Sequence, residues 1–272
     1  MDKIQFRVNN LKVEVYPDSE TCGKAAAEAA ADAIRELANT REALAVVFAT
    51  GASQLNTLHA LVNQRDLPWR RITGFHLDEY VNIDVNHRAS FRGYLREHLT
   101  SRVPMRAFFE INGNARDLDG FCREYAEQLR QFGPQLCLLG IGENGHLAFN
   151  DPGEADFADP KAMKVVQLDS VCRQQQAAEG WFPSLEDVPE RALTLTIPTV
   201  MRIPKLIVSA PGKRKAEIVK STLRDAISEE CPATILRNHP DATLFLDAAS
   251  AVLLNVESKV FSENGAGGEV RA

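Results

Sequence analysis

Residues 44–53, LAVVFATGAS, decide the fold. Leu44 to Ala49 is an unbroken apolar run rich in valine, the composition of a strand buried on both faces. It runs into Thr50-Gly51-Ala52-Ser53, after which Leu55, Leu58 and Leu61 return at helical spacing. A strand that passes to a helix through a polar, glycine-bearing turn is the repeating unit of an open parallel sheet. The same handover recurs along the chain. Residues 71–77 read as a strand ending at Asp78-Glu79-Tyr80, and 135–139 as a buried strand ending in the glycine-rich run 140–146. Residues 206–209 read as a strand that meets Gly212 and a helix over 213–223. The alanine-rich stretch 19–40 is helical, with Ala26, Ala29, Ala30, Ile34 and Leu37 near a 3.6 period. Helices are expected over 90–99, 117–132 and 247–254, and strands over 193–197 and 243–245.

The expected architecture is therefore α/β: a Rossmann-like open, mostly parallel sheet with helices on both faces, in a single domain over residues 1–262. In such sheets the loops at the strand carboxyl ends gather into one crevice, the usual ligand site. Residues 154–191 have the weakest periodicity, next to Asp-Pro pairs at 151–152 and 159–160, and are expected to form a lid. Residues 263–272, with Gly265, Gly267 and Gly268, are expected to be a flexible tail.

Composition narrows the function. The 272 residues carry 31 Lys and Arg against 37 Asp and Glu, a net charge of −6. Phosphate neutralisation wants the opposite balance, so no nucleic acid and no anionic membrane surface is expected as a partner. No run of about 18 apolar residues occurs, so no membrane span is expected. The amino terminus, MDKIQFRVNN, lacks the apolar stretch of a secretory signal. Five cysteines are scattered without a CxxC pair, which reads as reduced thiols in a cytoplasmic protein. The six histidines do not pair with them at ligand spacing, so no metal is expected. Composition leaves a homo-oligomer open.

Four clusters carry chemistry. Backbone N–H groups at a helix start lack intrahelical partners and carry positive dipole character, so Thr50-Gly51-Ala52-Ser53 suits a phosphate; Ser53 as a plain N-cap is the competing reading. Asp78 and Glu79 are adjacent and point in different directions, so one can do acid–base work while the other caps or pairs. The strongest segment is 140–152, GIGENGHLAFNDP. Its glycines bring backbone close to a ligand, His146 can take and return a proton near neutral pH, and a carboxylate such as Asp151 can fix its tautomer. Lys213, Arg214 and Lys215 open a helix against its dipole, a placement that a bound phosphate explains.

Together these residues resemble the glucosamine-6-phosphate deaminases (isomerising), which are related to the 6-phosphogluconolactonases. The resemblance spans about residues 10–255. It is carried by Thr-Gly-x-Ser at 50–53, Leu-Asp-Glu-Tyr at 77–80, Ser-Phe at the head of the 90–99 helix, Asn112-Gly113-Asn114, and Gly-x-Gly-x-Asn-Gly-His-x-x-Phe-Asn at 140–150. The lactonase branch continues its Gly-His toward Ala-Ser-Leu-Phe-Pro, whereas this chain reads Leu-Ala-Phe-Asn-Asp-Pro.

The resemblance implies conversion of D-glucosamine 6-phosphate and water to D-fructose 6-phosphate and ammonia, without cofactor. Asp78 would move the C2 proton to C1. His146 would open the ring, assisted by Asn144 and Asp151. Thr50, Gly51, Ala52, Ser53 and Lys215 would hold the phosphate, with Glu79 and Gly142 beside the substrate. The partner is then a small-molecule amino-sugar phosphate.

The chain also departs from the family pattern. Asp151 stands where members usually carry Glu, one methylene longer. No lid arginine for the phosphate is assigned, Arg173 being followed by three glutamines. Residues 154–164, EADFADPKAMK, do not reproduce the Ser, Arg and Lys set of the allosteric members, so no activation by N-acetylglucosamine 6-phosphate is expected. The alternatives are a lactonase that uses His146 on water, and a non-catalytic sugar-phosphate sensor. Retention of Asp78, Asn144 and His146 together argues against the sensor.

Overall fold

The computed structural model describes residues 3–178 and 180–254; the expected tail at 263–272 lies outside them. The elements in chain order are β1 Ile4–Val8, β2 Leu11–Tyr16, α1 Ser19–Thr40, β3 Leu44–Phe48, α2 Ala52–Val62, β4 Ile72–His76, β5 Asp78–Tyr80, α3 Phe91–Leu95, β6 Ala107–Phe109, α4 Leu118–Phe132 and β7 Leu136–Gly140. They continue with β8 Met163–Gln167, α5 Ser170–Ala178, β9 Arg191–Leu195, α6 Ile197–Met201, β10 Lys205–Ser209, α7 Ala216–Arg224 and β11 Ala242–Asp247.

Eight strands form one sheet in the order β1-β2-β11-β10-β7-β3-β4-β6, parallel throughout except for the edge strand β1. Side chains of the central strands alternate between two cores. Ala45 and Val47 of β3, Cys137 and Leu139 of β7, and Leu206 and Val208 of β10 enter one, together with Tyr125 and Leu129 of α4 and Val219 of α7. Leu44, Val46, Phe48, Leu136, Leu138 and Ile207 enter the other, under Ala26, Ala30 and Ile34 of α1 and Leu58 of α2. Burial on both faces is why these strands read as continuous apolar runs rather than as an alternation. Helices thus cover both faces, as expected.

The strand order turns between β3 and β7: the chain proceeds from β3 outward to β4 and β6, then returns to β7 on the other side of β3. A crevice opens at such a switch point. The loops that leave β3 and β7 there are Thr50–Ser53 and the run starting at Gly140. A second, antiparallel sheet, β5-β9-β8, stands beside this opening.

Several local expectations are corrected. The stretch expected as a lid, 154–191, contains β8 and α5. The strand expected over 193–197 begins at Arg191 and stops at Leu195, because Pro198 opens α6 in the first helical turn. The helix expected over 247–254 is a series of turns. There the Asp247 carboxylate accepts from the N–H of Ser250 and of Gly212, a local bond that competes with helix propagation. No helix among the described residues is long and apolar enough to cross a membrane.

Candidate active site

A cavity of about 370 Å³ lies at the switch point. Its floor is the Thr50–Ser53 turn. Gly51 sits at φ +91°, a conformation that disfavours side chains, and its carbonyl accepts from Gln54 N at 3.0 Å. No side chain caps α2, so its first-turn N–H groups keep their dipole for a ligand. Tyr94 of α3, which sequence reasoning did not single out, donates its hydroxyl to Gly51 O at 3.1 Å and lines the cavity. Lys213, Arg214 and Lys215 form one 3₁₀ turn before α7, and all three line the same cavity. Arg214 also pairs with Glu143 at 3.2 Å, tying this turn to the loop after β7. Uncapped N–H groups and these cations are cavity groups that could hold an anion.

Asp78 lines the same cavity and is 7% exposed. Burial pushes its carboxyl well above the ordinary value near 3.8, and the charges of Glu79 and Asp151 push the same way. The neighbouring Glu79 is a correction: expected beside the substrate, it is fully buried and does not line the cavity. Its oxygens accept from the N–H groups of Tyr80, Phe91 and Arg92 and from Ser90 Oγ, at 2.9–3.1 Å. Glu79 therefore anchors the start of α3, where an anion is favoured. Arg92 closes the pocket around it at 3.4 Å and reaches on to Asn112 Oδ1. The Asn112-Gly113-Asn114 motif is thus a buttress behind β5.

His146 presents the other reactive group, with its side chain 12% exposed to the cavity. Asp151 Oδ1 lies 2.8 Å from His146 Nδ1. Asp151 is fully buried. Burial alone would raise its pKa, but His146, the Asn144 amide and the Asp169 N–H more than offset that, and the net shift is downward. Asn144 bridges the group, donating Nδ2 to Asp151 at 3.0 Å and accepting His146 N at 3.1 Å. Gly142 is required by the ring beneath it: a Cβ there would fall 2.3 Å from the imidazole.

Asp78, His146, Gly142, Thr50, Gly51, Ala52, Ser53 and Lys215 therefore line one cavity. Asn144 and Asp151 stand behind His146, and Glu79 stands apart. Sequence reasoning missed Arg88, Gln176 and Trp181, which also line the cavity. Arg88 Nε donates to Trp181 O at 3.0 Å across the mouth. Both lie in segments without periodicity, so only coordinates could bring them together. His146, Asp151 and Cys172 have donor atoms within 4.8 Å of one another and are, among the described residues, the group that could share a metal ion. Two of them already serve each other as imidazole and carboxylate.

An open α/β sheet with an imidazole and a carboxylate on the cavity at its switch point defines the class, a Rossmann-like fold with its cavity at the strand carboxyl ends. The chain belongs to the glucosamine-6-phosphate isomerase/6-phosphogluconolactonase family, whose model matches residues 17–245. It is 38% identical over 221 residues to glucosamine-6-phosphate deaminases of Bacillus cereus strain B4264 and Bacillus anthracis strain CDC 684, covering 81% of this chain and 82% of each relative. A solved monomeric glucosamine-6-phosphate deaminase superposes with a TM-score of 0.81 at 32% identity, over 89% of this chain and 99% of that one. The 6-phosphogluconolactonase of Trypanosoma brucei shares the fold, with a TM-score of 0.73 at 21% identity over 89% and 98% of the two chains.

Proposed function

We propose that the chain is a glucosamine-6-phosphate deaminase, converting D-glucosamine 6-phosphate and water to D-fructose 6-phosphate and ammonia. The observation that carries this reading is the placement of Asp78 and His146 on one cavity that the Thr50–Ser53 turn and Lys213–Lys215 also line. The 38% and 32% identical relatives that bear the deaminase name support it.

The Thr50–Ser53 turn and Lys215 hold the phosphate and fix the sugar's reach into the cavity. His146 takes the proton of the C1 hydroxyl and returns one to the ring oxygen, opening the hemiacetal. Asp151 and Asn144 hold the imidazole in place for both transfers. Asp78 then removes the C2 proton and delivers it to C1. A base in a 1,2-transfer must release what it takes, and a carboxyl with raised proton affinity does both. The imine left at C2 takes up water and expels ammonia.

Residues 154–191 act as a cover, with Gln176 and Trp181 facing the cavity and Arg88 fastening Trp181. Both sheets serve this one cavity, which supports a single working domain. It is lined within one chain, so the proposed chemistry needs no second copy. The five cysteines, all free, support a cytoplasmic location.

The test is a panel of gluco- and galacto-configured amino-sugar phosphates, scored for ammonia and ketose phosphate. Stoichiometric ammonia and fructose 6-phosphate from glucosamine 6-phosphate is the expected result. Hydrolysis of 6-phosphogluconolactone with no ammonia from any amino sugar would overturn it.

A further inference from the structure

Asp169 stands immediately before α5, outside every motif read from the sequence, and it touches the reactive group twice. Its Oδ2 accepts the second Nδ2 hydrogen of Asn144 at 3.1 Å, and its backbone N–H donates to Asp151 Oδ2 at 3.4 Å. Its other oxygen, Oδ1, accepts from Cys172 N at 2.6 Å and so caps α5. Cys172 is itself fully buried, with its sulfur within 4.8 Å of an Asp151 oxygen. The covering helix therefore begins on the catalytic network rather than beside it.

The chemistry of the amide makes this contact directional. Both Nδ2 hydrogens of Asn144 point at carboxylates, Asp151 and Asp169, while its oxygen accepts from the His146 backbone. A flipped amide would set its oxygen against two carboxylates and its NH₂ against an N–H donor. Asp169 thus fixes the orientation of Asn144, Asn144 fixes Asp151, and Asp151 fixes the imidazole.

We propose that Asp169 is a positioning residue for His146, acting through Asn144 and Asp151, so that seating α5 and aligning the ring-opening imidazole are one event. This deepens the deaminase reading and rests on it.

Asp169→Ser tests it. Serine caps a helix about as well as aspartate but is too short to reach Asn144. The melting temperature is expected to stay within a few degrees of the parent. The kcat for the closed-ring substrate should fall about tenfold at unchanged KM, a typical cost of a misplaced catalytic group. An analogue that cannot close its ring should be turned over at the parental rate. Combined with Asn144→Ala, the second substitution should add nothing, as expected of two residues acting in series. Parental kcat on the closed-ring substrate, equal losses on both substrates, or additive losses in the double variant would each overturn the assignment. A ¹⁵N spectrum of the His146 ring reads the tautomer without turnover. The parent should show one tautomer with Nδ1 protonated, and Asp169→Ser a mixture; an unchanged spectrum overturns the proposal. A parent protein that releases no ammonia but shows this spectral change would defeat the deaminase reading and leave the positioning role standing.

Discussion

The two ends of the cavity are built in opposite ways. At the end proposed for the phosphate, backbone does the work: a positive-φ glycine, an uncapped helix start, and cations on a half-exposed turn. At the end proposed for proton transfer, buried side chains do it, and Asp151 is held by Asn144, the Asp169 N–H and His146. The first end recognises charge and tolerates small movement, because a dipole and a lysine act over several ångströms. The second cannot move, because each hydrogen bond fixes the next. Substitutions should therefore change affinity at one end and turnover at the other.

The largest effect should come from Asp78→Asn, which removes the proposed carbon base. A loss of 10²–10⁴ in kcat is expected, with binding of a substrate analogue intact. Steady-state rates and calorimetry check it, and wild-type kcat would break the comparison. The same variant should melt higher at pH 7. A carboxyl whose pKa folding raises contributes stability below its unfolded value, near 3.8, and loses it as pH rises through the folded value. Asparagine carries no such charge, so the gain should fade as pH drops toward 4.

Gly142→Ala comes next. Its methyl must displace the His146 ring, so kcat should drop by about 10² and stability by about 1–3 kcal/mol. Steady-state kinetics beside thermal melts read both. Lys215→Ala should act only on affinity. KM for the phosphorylated sugar should rise about ten- to a hundredfold, the worth of a charge-assisted hydrogen bond, with kcat preserved. A kcat loss larger than the KM rise would mean that the two ends are not separable. The smallest effect, none, is expected of N-acetylglucosamine 6-phosphate. Rate curves should be hyperbolic with and without it, and a sigmoidal curve made hyperbolic by that ligand would refute this.

How much of this was readable beforehand follows from how local each signal is. The 19–40 helix could be bounded to the residue, because Asp18 caps it and the alanine face repeats with the helical period. The central strands were legible as apolar runs. The β1–β2 hairpin was not, although Ile4, Phe6 and Val8 alternate up to an Asn9-Asn10 turn with Asn9 at φ +52°. Strand β8 went unread because it pairs with β9, whose register partners lie more than twenty residues away, and short runs carry little period of their own. Within the site, motifs exposed Asp78, His146 and Asp151. The role of Glu79 depended on Ser90 and Arg92, and that of Asp169 on Asn144. Such pairings are set by tertiary geometry, which spacing alone does not reveal.

The seam between the two sheets has a consequence of its own. Only Leu77 separates β4 of the large sheet from β5 of the small one, and β5 is held in register by β9, with Asp78 opposite Thr194 and Glu79 opposite Leu193. Because a strand alternates its sides residue by residue, parity decides which of two adjacent acids becomes reactive and which becomes scaffolding. Shortening this joint by one residue would set Glu79 in the place Asp78 now holds and draw Asp78 back into the buried place of Leu77. The length of this joint therefore sets which of the two acids lines the cavity.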